Sequence, residues 1–397
     1  PPSQCSYVAG NPPFVGKHYR KPEQQRDLVA VLDGEKGAGD LDYVAAWYIK
    51  AARYIQRTSI RCAFVSTNSI CQGEQVPVLW PLLFKQGVHI QFAHQAFQWN
   101  NEAVGKAAVH CIIIGFALSK PDVYRLFTYS DVRGDEREEI LPRINAYLTG
   151  GPNVIVTKVT RPVDVRPIMK CGNKPTDDGN FILTPDERMQ LLMECPDASM
   201  FVRRYIGSDE YLNGVERYCL WLADAMPDQL KKMPAVMRRI DKVRRFREAS
   251  TAEPTRKAAQ TPTKFFFESQ PKGRYILIPE VSSEKRIYVP IGFMEPVVIS
   301  SNKNYLIDEP SFFVAGLLQS AMHMAWMRAV GGRLESRYQY SASMVYNTFP
   351  WPEDVEKSRV AIENAERAVL AVRSQFANST LADLYDPLTM PPELRKA

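Results

Sequence analysis

Asn11-Pro12-Pro13-Phe14 is the stretch of this chain whose residue types could do chemistry. It follows the short apolar run Tyr7-Val8-Ala9, which reads as a strand, Tyr7 to Gly10, leading into a Pro-Pro loop. An Asn side-chain carbonyl and a Pro backbone carbonyl are both hydrogen-bond acceptors. Side by side they can accept the two N–H bonds of an exocyclic amino group on a nucleic-acid base. The lone pair of such an amine is delocalised into its ring. A catalyst must therefore hold both N–H bonds and the ring plane so that the lone pair can reach a sulfonium methyl. Two prolines fix φ and stop the loop relaxing, and an aromatic at position 14 can stack on a base taken out of a duplex. No general base is needed, because the proton is acidic once the amine is methylated; the rate comes from positioning. The same tetrapeptide also reads as a Pro-rich surface turn, since Asn-Pro and Pro-Pro are common loop dipeptides.

The elements that must position this loop are those of an α/β region. Asp40 to Arg57 reads as a helix, with Leu41, Val44, Ala45, Tyr48, Ala52 and Ile55 at helical spacing. Arg61 to Ser66 reads as a buried strand, Gln75 to Phe84 as the next helix, and His89 to Ala93 as another strand. Val109 to Phe116 is nearly all apolar, as expected inside a covered sheet. This order is that of the second half of an open α/β sheet.

From about residue 136 to 305 the chain is rich in Pro and Gly. Short strands are expected at Asn153–Thr157, Tyr275–Ile278, Arg286–Val289 and Val297–Ile299, and an exposed polar loop from Ser250 to Pro262. We read this as an α+β binding domain. From about 306 to 397 the chain looks helical, with a Met-rich helix Ser311–Val330 and an amphipathic helix Glu353–Gln375 after Pro350-Trp351-Pro352.

Net charge is +6 over 397 residues, a mild excess that is unevenly placed. Lys231 to Arg247 holds eight basic residues and one acid, Asp241. A solvated helix face would carry acids at i,i+4 spacing; here they are missing, which points to a polyphosphate partner. No apolar run reaches the length of a membrane span, and no secretory pattern opens the chain. The seven cysteines contain no C-x-x-C pair, and the five histidines have no metal-type spacing. Reduced, mostly buried thiols in a cytoplasmic protein without a metal are expected.

Several further motifs stand in order: Gly10-Asn-Pro-Pro-Phe-Val-Gly16, Leu41-Asp-Tyr-Val-Ala-Ala-Trp47, Ala63-Phe-Val-Ser-Thr-Asn-Ser-Ile70, Gln72-Gly-Glu-Gln75, Phe92-Ala-His94 and Phe97-Gln-Trp99. They continue with Ser282-Ser-Glu-Lys-Arg286, Tyr288-Val-Pro-Ile-Gly-Phe293, Tyr340-Ser341, Val345 to Pro352 and Leu381-Ala-Asp-Leu-Tyr-Asp386. In these the chain resembles the C-terminal part of MmeI-like type II restriction–modification enzymes. These are single-chain bacterial proteins joining a nuclease, an adenine-N6 DNA methyltransferase and target recognition. The resemblance covers essentially the whole chain. It implies residues 1–135 as the C-terminal half of a class I methyltransferase sheet that uses S-adenosylmethionine. It further implies a target-recognition domain at 136–305 that binds double-stranded DNA, and a C-terminal helical domain at 306–397.

The resemblance also assigns residues. Asn11 and the Pro12 carbonyl would accept from the N6 amino group, Pro13 would stiffen the loop, and Phe14 would stack on the base. A second aromatic, Phe97 or Trp99, would close its other face; hydrophobic core is the alternative for both. Base contacts map to Glu284 and Arg286, which on a strand would leave one face together. Arg can pair with guanine O6/N7 and Glu can accept from cytosine N4; a surface ion pair is the alternative. Ala252 maps near another specificity position. Arg244, Arg245 and Arg247 are read as phosphate contacts, which position without specifying.

The sequence departs from the family in one respect. The Gly-rich cofactor loop and the acidic residue that holds the ribose would precede Asn11, and neither is present; Gly34 to Gly39 comes after the loop. The nuclease part is missing too. A polypeptide that binds cofactor poorly and methylates little alone is expected, with its first strand at a sheet edge. A non-catalytic DNA-specificity module and an RNA adenine methyltransferase remain alternatives.

Overall fold

The computed structural model describes residues 1–99, 109–129, 134–162, 164, 166–352 and 356–397; the side chains of residues 99, 109 and 356 fall outside that description. The chain divides into two compact units. One holds residues 1–160 with 327–338 and 343–348; the other holds 161–326 with 339–342 and 349–397.

The first unit is built on a six-stranded mixed sheet. Its strands are β1 (Tyr7–Gly10), β2 (Arg61–Thr67), β3 (His89–Trp99), β4 (Val109–Ala117), β5 (Tyr124–Tyr129) and β6 (Glu136–Leu141), in the order β1-β2-β4-β3-β5-β6. β1 runs parallel to β2, and β4 lies antiparallel to both β2 and β3. β1 therefore sits at the sheet edge, as expected, with Tyr7 exposed. Helices α1 (Pro22–Val31), α2 (Ala45–Tyr54) and α3 (Val76–Lys85) contribute Leu28, Tyr48, Ile49, Leu79 and Trp80 to a core with Phe64, Ile114 and Phe116. In β4 only Gly115 fits beneath the Phe92 ring, since a Cβ there would lie 2.0 Å from Phe92 Cε1. The expected long helix from Asp40 begins only at Ala45.

The second unit contains two four-stranded sheets and most of the remaining helices. The strands are β7 (Met169–Cys171), β8 (Ile182–Leu183), β9 (Val202–Ile206), β10 (Tyr218–Leu220), β11 (Tyr275–Pro279), β12 (Val281–Ser282), β13 (Gly292–Met294), β14 (Ile299–Ser300) and β15 (Asn304–Ile307). One sheet has the order β14-β9-β10-β8 and the other β13-β11-β15-β7. Helices α4 (Pro185–Glu194), α5 (Ser208–Asn213), α6 (Pro227–Lys231), α7 (Pro234–Glu248) and α8 (Glu253–Ala258) precede β11. Helices α9 (Phe312–Gln319), α10 (Ala321–Val330), α11 (Glu356–Gln375) and α12 (Leu381–Leu384) follow the strands.

Five expectations fail locally, one of them the strand Val297–Ile299, of which only Ile299 pairs, at the start of β14. Asn153–Thr157 is not paired as a strand. Arg286–Val289 is bend and irregular backbone rather than strand. The Ser250–Pro262 loop contains α8, started by Pro254 in its first turn and supported by a Lys257–Glu253 ion pair. The Met-rich helix breaks at Ser320, whose φ of −65° and ψ of 152° end α9 before α10 begins.

Candidate active-site loop and DNA-contact residues

The Asn-Pro-Pro-Phe loop leaves the C-terminal end of β1, the place where open α/β sheets expose their ligand sites. Asn11 and Pro13 are exposed, Pro12 is buried, and Phe14 is half-buried against the core of the first unit. A cleft of about 960 Å³ opens beside the loop, lined by Asn11, Pro12, Pro13, Tyr43, Trp47 and Lys50 among others. Tyr43 and Trp47 meet edge to face, with centroids 5.0 Å apart.

The loop is held from the segment before α2. Buried Asp42 is the hub: its Oδ1 accepts the Val15 N–H at 3.2 Å, and its Oδ2 accepts the Thr67 hydroxyl at 3.1 Å at the end of β2. The Asp42 N–H in turn donates to Gln75 Oε1 at 2.8 Å, and the Tyr43 N–H donates to the Val15 carbonyl at 3.1 Å. Arg20 donates to the carbonyls of Leu41 (2.7 Å) and Gly39 (2.5 Å), and Lys17 pairs with Asp40. Neither Asp42 nor Arg20 stood out in the sequence, where Asp42 reads as one polar position inside a helix. The available signal was the Leu41-Asp-Tyr-Val-Ala-Ala-Trp47 motif, which contains Asp42 without showing what its side chain holds.

Phe97 lies at the same end of the sheet. Gly10 pairs with Phe64 in β2, Thr67 with Cys111 in β4, and Cys111 with Phe97 in β3. Phe97 belongs to an aromatic cluster with His94, which the sequence showed only as part of a motif, and with Phe127 and Tyr129, which it did not single out. His94 stacks on Phe127 (4.3 Å, 9°) and bonds Tyr129 through Nδ1 at 2.8 Å, and Phe97 lies 5.4 Å from Tyr129. Burial pulls the His94 pKa below its ordinary 6.5, partly offset by the Glu136 carboxylate. The Trp99 side chain lies outside the described residues, so its expected stacking role is not described.

From Pro234 the basic stretch becomes α7, and its cations find acids both within the stretch, at the i,i+3 and i,i+4 spacing expected to be empty, and on a neighbouring helix. Asp241 takes both Arg244 (2.5 Å) and Arg245 (2.7 Å), while Arg238 pairs with Glu194 of α4. Both Arg244 and Arg245 remain exposed. Arg247 corrects the expectation of a phosphate contact. It is fully buried and donates to the carbonyls of Thr176, Pro175, Ala258, Thr261 and Lys264. A guanidinium whose donors are bound inside the protein has none to offer a phosphate.

Ala252 is the exposed N-cap of α8, which packs on α7. Glu284 and Arg286 lie in the turn after β12, so the same-face argument from strand geometry does not hold. Arg286 is half-buried and reaches Ser282 Oγ at 3.3 Å, with its Nε unpaired. Burial lowers its pKa while the carboxylates of Asp386 and Glu284 raise it. Of the seven cysteines, Cys5 and Cys171 are exposed and five are buried. Among the described residues no group of three or more His, Cys, Asp or Glu could hold a metal, and no helix is long and apolar enough to cross a membrane.

Three family models match in sequence: the MmeI DNA-methyltransferase domain over residues 2–128, the MmeI target recognition domain over 150–353, and the MmeI C-terminal domain over 354–397. The chain belongs to the MmeI family. A solved structure of the Type IIL restriction–modification enzyme MmeI in complex with DNA has a TM-score of 0.94 and 52% identity, covering 100% of this chain and 53% of that one. A protein described as DNA methyltransferase A of Bacillus subtilis (strain 168) is 40% identical over 396 residues, 100% of this chain and 44% of that protein. The chain thus spans about half the length of these two relatives. Both the Asn-Pro-Pro-Phe loop and the aromatic cluster fall in or beside the methyltransferase match, and α7, α8 and the Glu284 turn fall in the target-recognition match.

Proposed function

We propose that this chain carries the catalytic loop and DNA-reading part of a restriction–modification enzyme that methylates adenine N6 in a specific duplex site. The carrying observation is the Asn-Pro-Pro-Phe loop at the open end of β1, fixed by Asp42 beside a cleft, in a chain with matched methyltransferase and target-recognition segments. The MmeI relative was solved in complex with DNA, which favours duplex DNA over RNA as the substrate here. We assign 1–135 to the C-terminal half of the methyltransferase, 136–305 to target recognition and 306–397 to the helical part.

S-adenosylmethionine supplies an electrophilic methyl when bound. The residues present fit one wall of its site: Pro13, Tyr43 and Trp47 offer apolar and aromatic surface at the cleft. No Gly-rich turn precedes Asn11 in these 397 residues, and among the described residues β1 pairs only with β2. We therefore expect further strands to add at that edge, and the polypeptide alone to methylate weakly.

Asn11 Oδ1 and the Pro12 carbonyl accept the two N6 hydrogens, aiming the nitrogen lone pair. Phe14 covers one face of the flipped adenine, and Phe97 or Trp99 the other. Arg244 and Arg245 approach phosphates, and Glu284, Arg286 and Ala252 read bases. In the enzyme containing this chain, Asn11→Ala should abolish methyl transfer to duplex DNA while leaving DNA affinity within about threefold. Equal loss of both would sink the catalytic assignment.

A further inference from the structure

Tyr19 is held out into solvent beside the Asn-Pro-Pro-Phe loop. It is 86% exposed; among large apolar side chains in the described residues only Leu388, at 94%, is more so. Leaving an aromatic ring in water forgoes burial, and Tyr is a side chain that interfaces favour because one end of it is apolar and the other polar. The loop is ordered on both sides of it. Lys17 pairs with Asp40, and the Tyr19 N–H donates to Gly16 O at 3.0 Å. Arg20, the next residue, is tied to the carbonyls of Gly39 and Leu41. These anchors lie on the segment whose Asp42 holds Val15, so one scaffold fixes both the Asn-Pro-Pro-Phe loop and the Tyr19 turn. Tyr19 comes five residues after Phe14, on the stretch that leaves the proposed base pocket.

A base that leaves the stack leaves a gap behind it, and proteins commonly fill unstacked steps with an inserted side chain. We infer that Tyr19 is a positioning residue that wedges into the duplex at the gap left by the flipped adenine, stacking on the neighbouring bases. This rests on the reading of the chain as a base-flipping methyltransferase. His18 and Lys21, exposed on either side, are placed to face the phosphates at that step.

The test uses the enzyme containing this chain and duplexes with 2-aminopurine at the target. Tyr19→Ala should cut the fluorescence rise on binding several-fold and weaken binding to a fully paired target roughly tenfold, the scale of lost stacking at one step. When the target base is mispaired, extrusion is cheap, and the deficit should shrink to about threefold or less. Tyr19→Trp should keep the wild-type signal on both duplexes. Equal loss on paired and mispaired targets, or no loss, would overturn the wedge. Asn11→Ala is run alongside: if it still transfers methyl groups, the functional reading has failed rather than the role of Tyr19.

Discussion

The Asp42 carboxylate accepts the backbone N–H of Val15 at 3.2 Å, one residue beyond the Asn-Pro-Pro-Phe loop. Its other oxygen binds the Thr67 hydroxyl at the end of β2. One buried acid thus ties the loop to the neighbouring strand and leaves Asn11 free to face a substrate. Asp42→Ala would leave the Val15 N–H and Thr67 hydroxyl without that acceptor, at a cost of roughly 1–3 kcal/mol. The expected signature is a fall in kcat for methyl transfer with KM for DNA nearly unchanged. Loss of DNA binding in proportion would show that Asp42 supports the fold rather than the loop.

Arg247 should behave as a structural residue. Five backbone carbonyls share its guanidinium, so Arg247→Ala leaves buried acceptors unpaired and should cost at least roughly 1–3 kcal/mol. A drop in Tm of several degrees is expected. A normal Tm with weakened DNA binding would return Arg247 to the phosphate-contacting group.

Strands and the loop were legible in the sequence where local pattern decides them. Tyr7–Gly10, the buried run after Arg61 and the apolar run from Val109 all form strands, because alternation or continuous burial leaves little choice. Parts set by distant partners were not legible. Arg247 looks like its neighbours Arg244 and Arg245 in the chain, and only its depth beneath the 175–176 and 258–264 backbone separates them. Glu284 and Arg286 have strand-like spacing, yet the chain turns after Ser282 before they are reached. Asp42 is three residues ahead of α2 rather than inside it, so its side chain is free to hold a loop that the linear pattern does not connect to it.

Arg244 and Arg245 are exposed and share Asp241, which leaves guanidinium donors free for an anion. Replacing both with Gln should lower DNA affinity for all sequences alike and reduce the slope of log K against log salt by up to about 2. Exchanging Glu284 and Arg286 should instead change which site is bound, by roughly 1–3 kcal/mol for each altered base contact. Fluorescence anisotropy across a salt series, on target and non-target duplexes, separates the two. A sequence-independent loss from the Glu284 and Arg286 exchange would remove them from base reading.

Glu366 on α11 is 2% exposed, with Oε2 accepting the Gln319 amide at 2.7 Å and Oε1 unpaired. Burial raises its pKa from an ordinary 4.5 to about 7, against the opposing pull of Arg373 and the Gln319 hydrogen bond. Folding therefore favours the protonated carboxyl. Its contribution to stability is complete below the unfolded pKa and is lost as pH rises through 7, by at most about 3 kcal/mol. Thermal unfolding between pH 5 and 8.5 should show Tm falling through neutrality, and Glu366→Gln should flatten that fall. An unchanged slope in the Gln variant would assign the pH dependence to other groups.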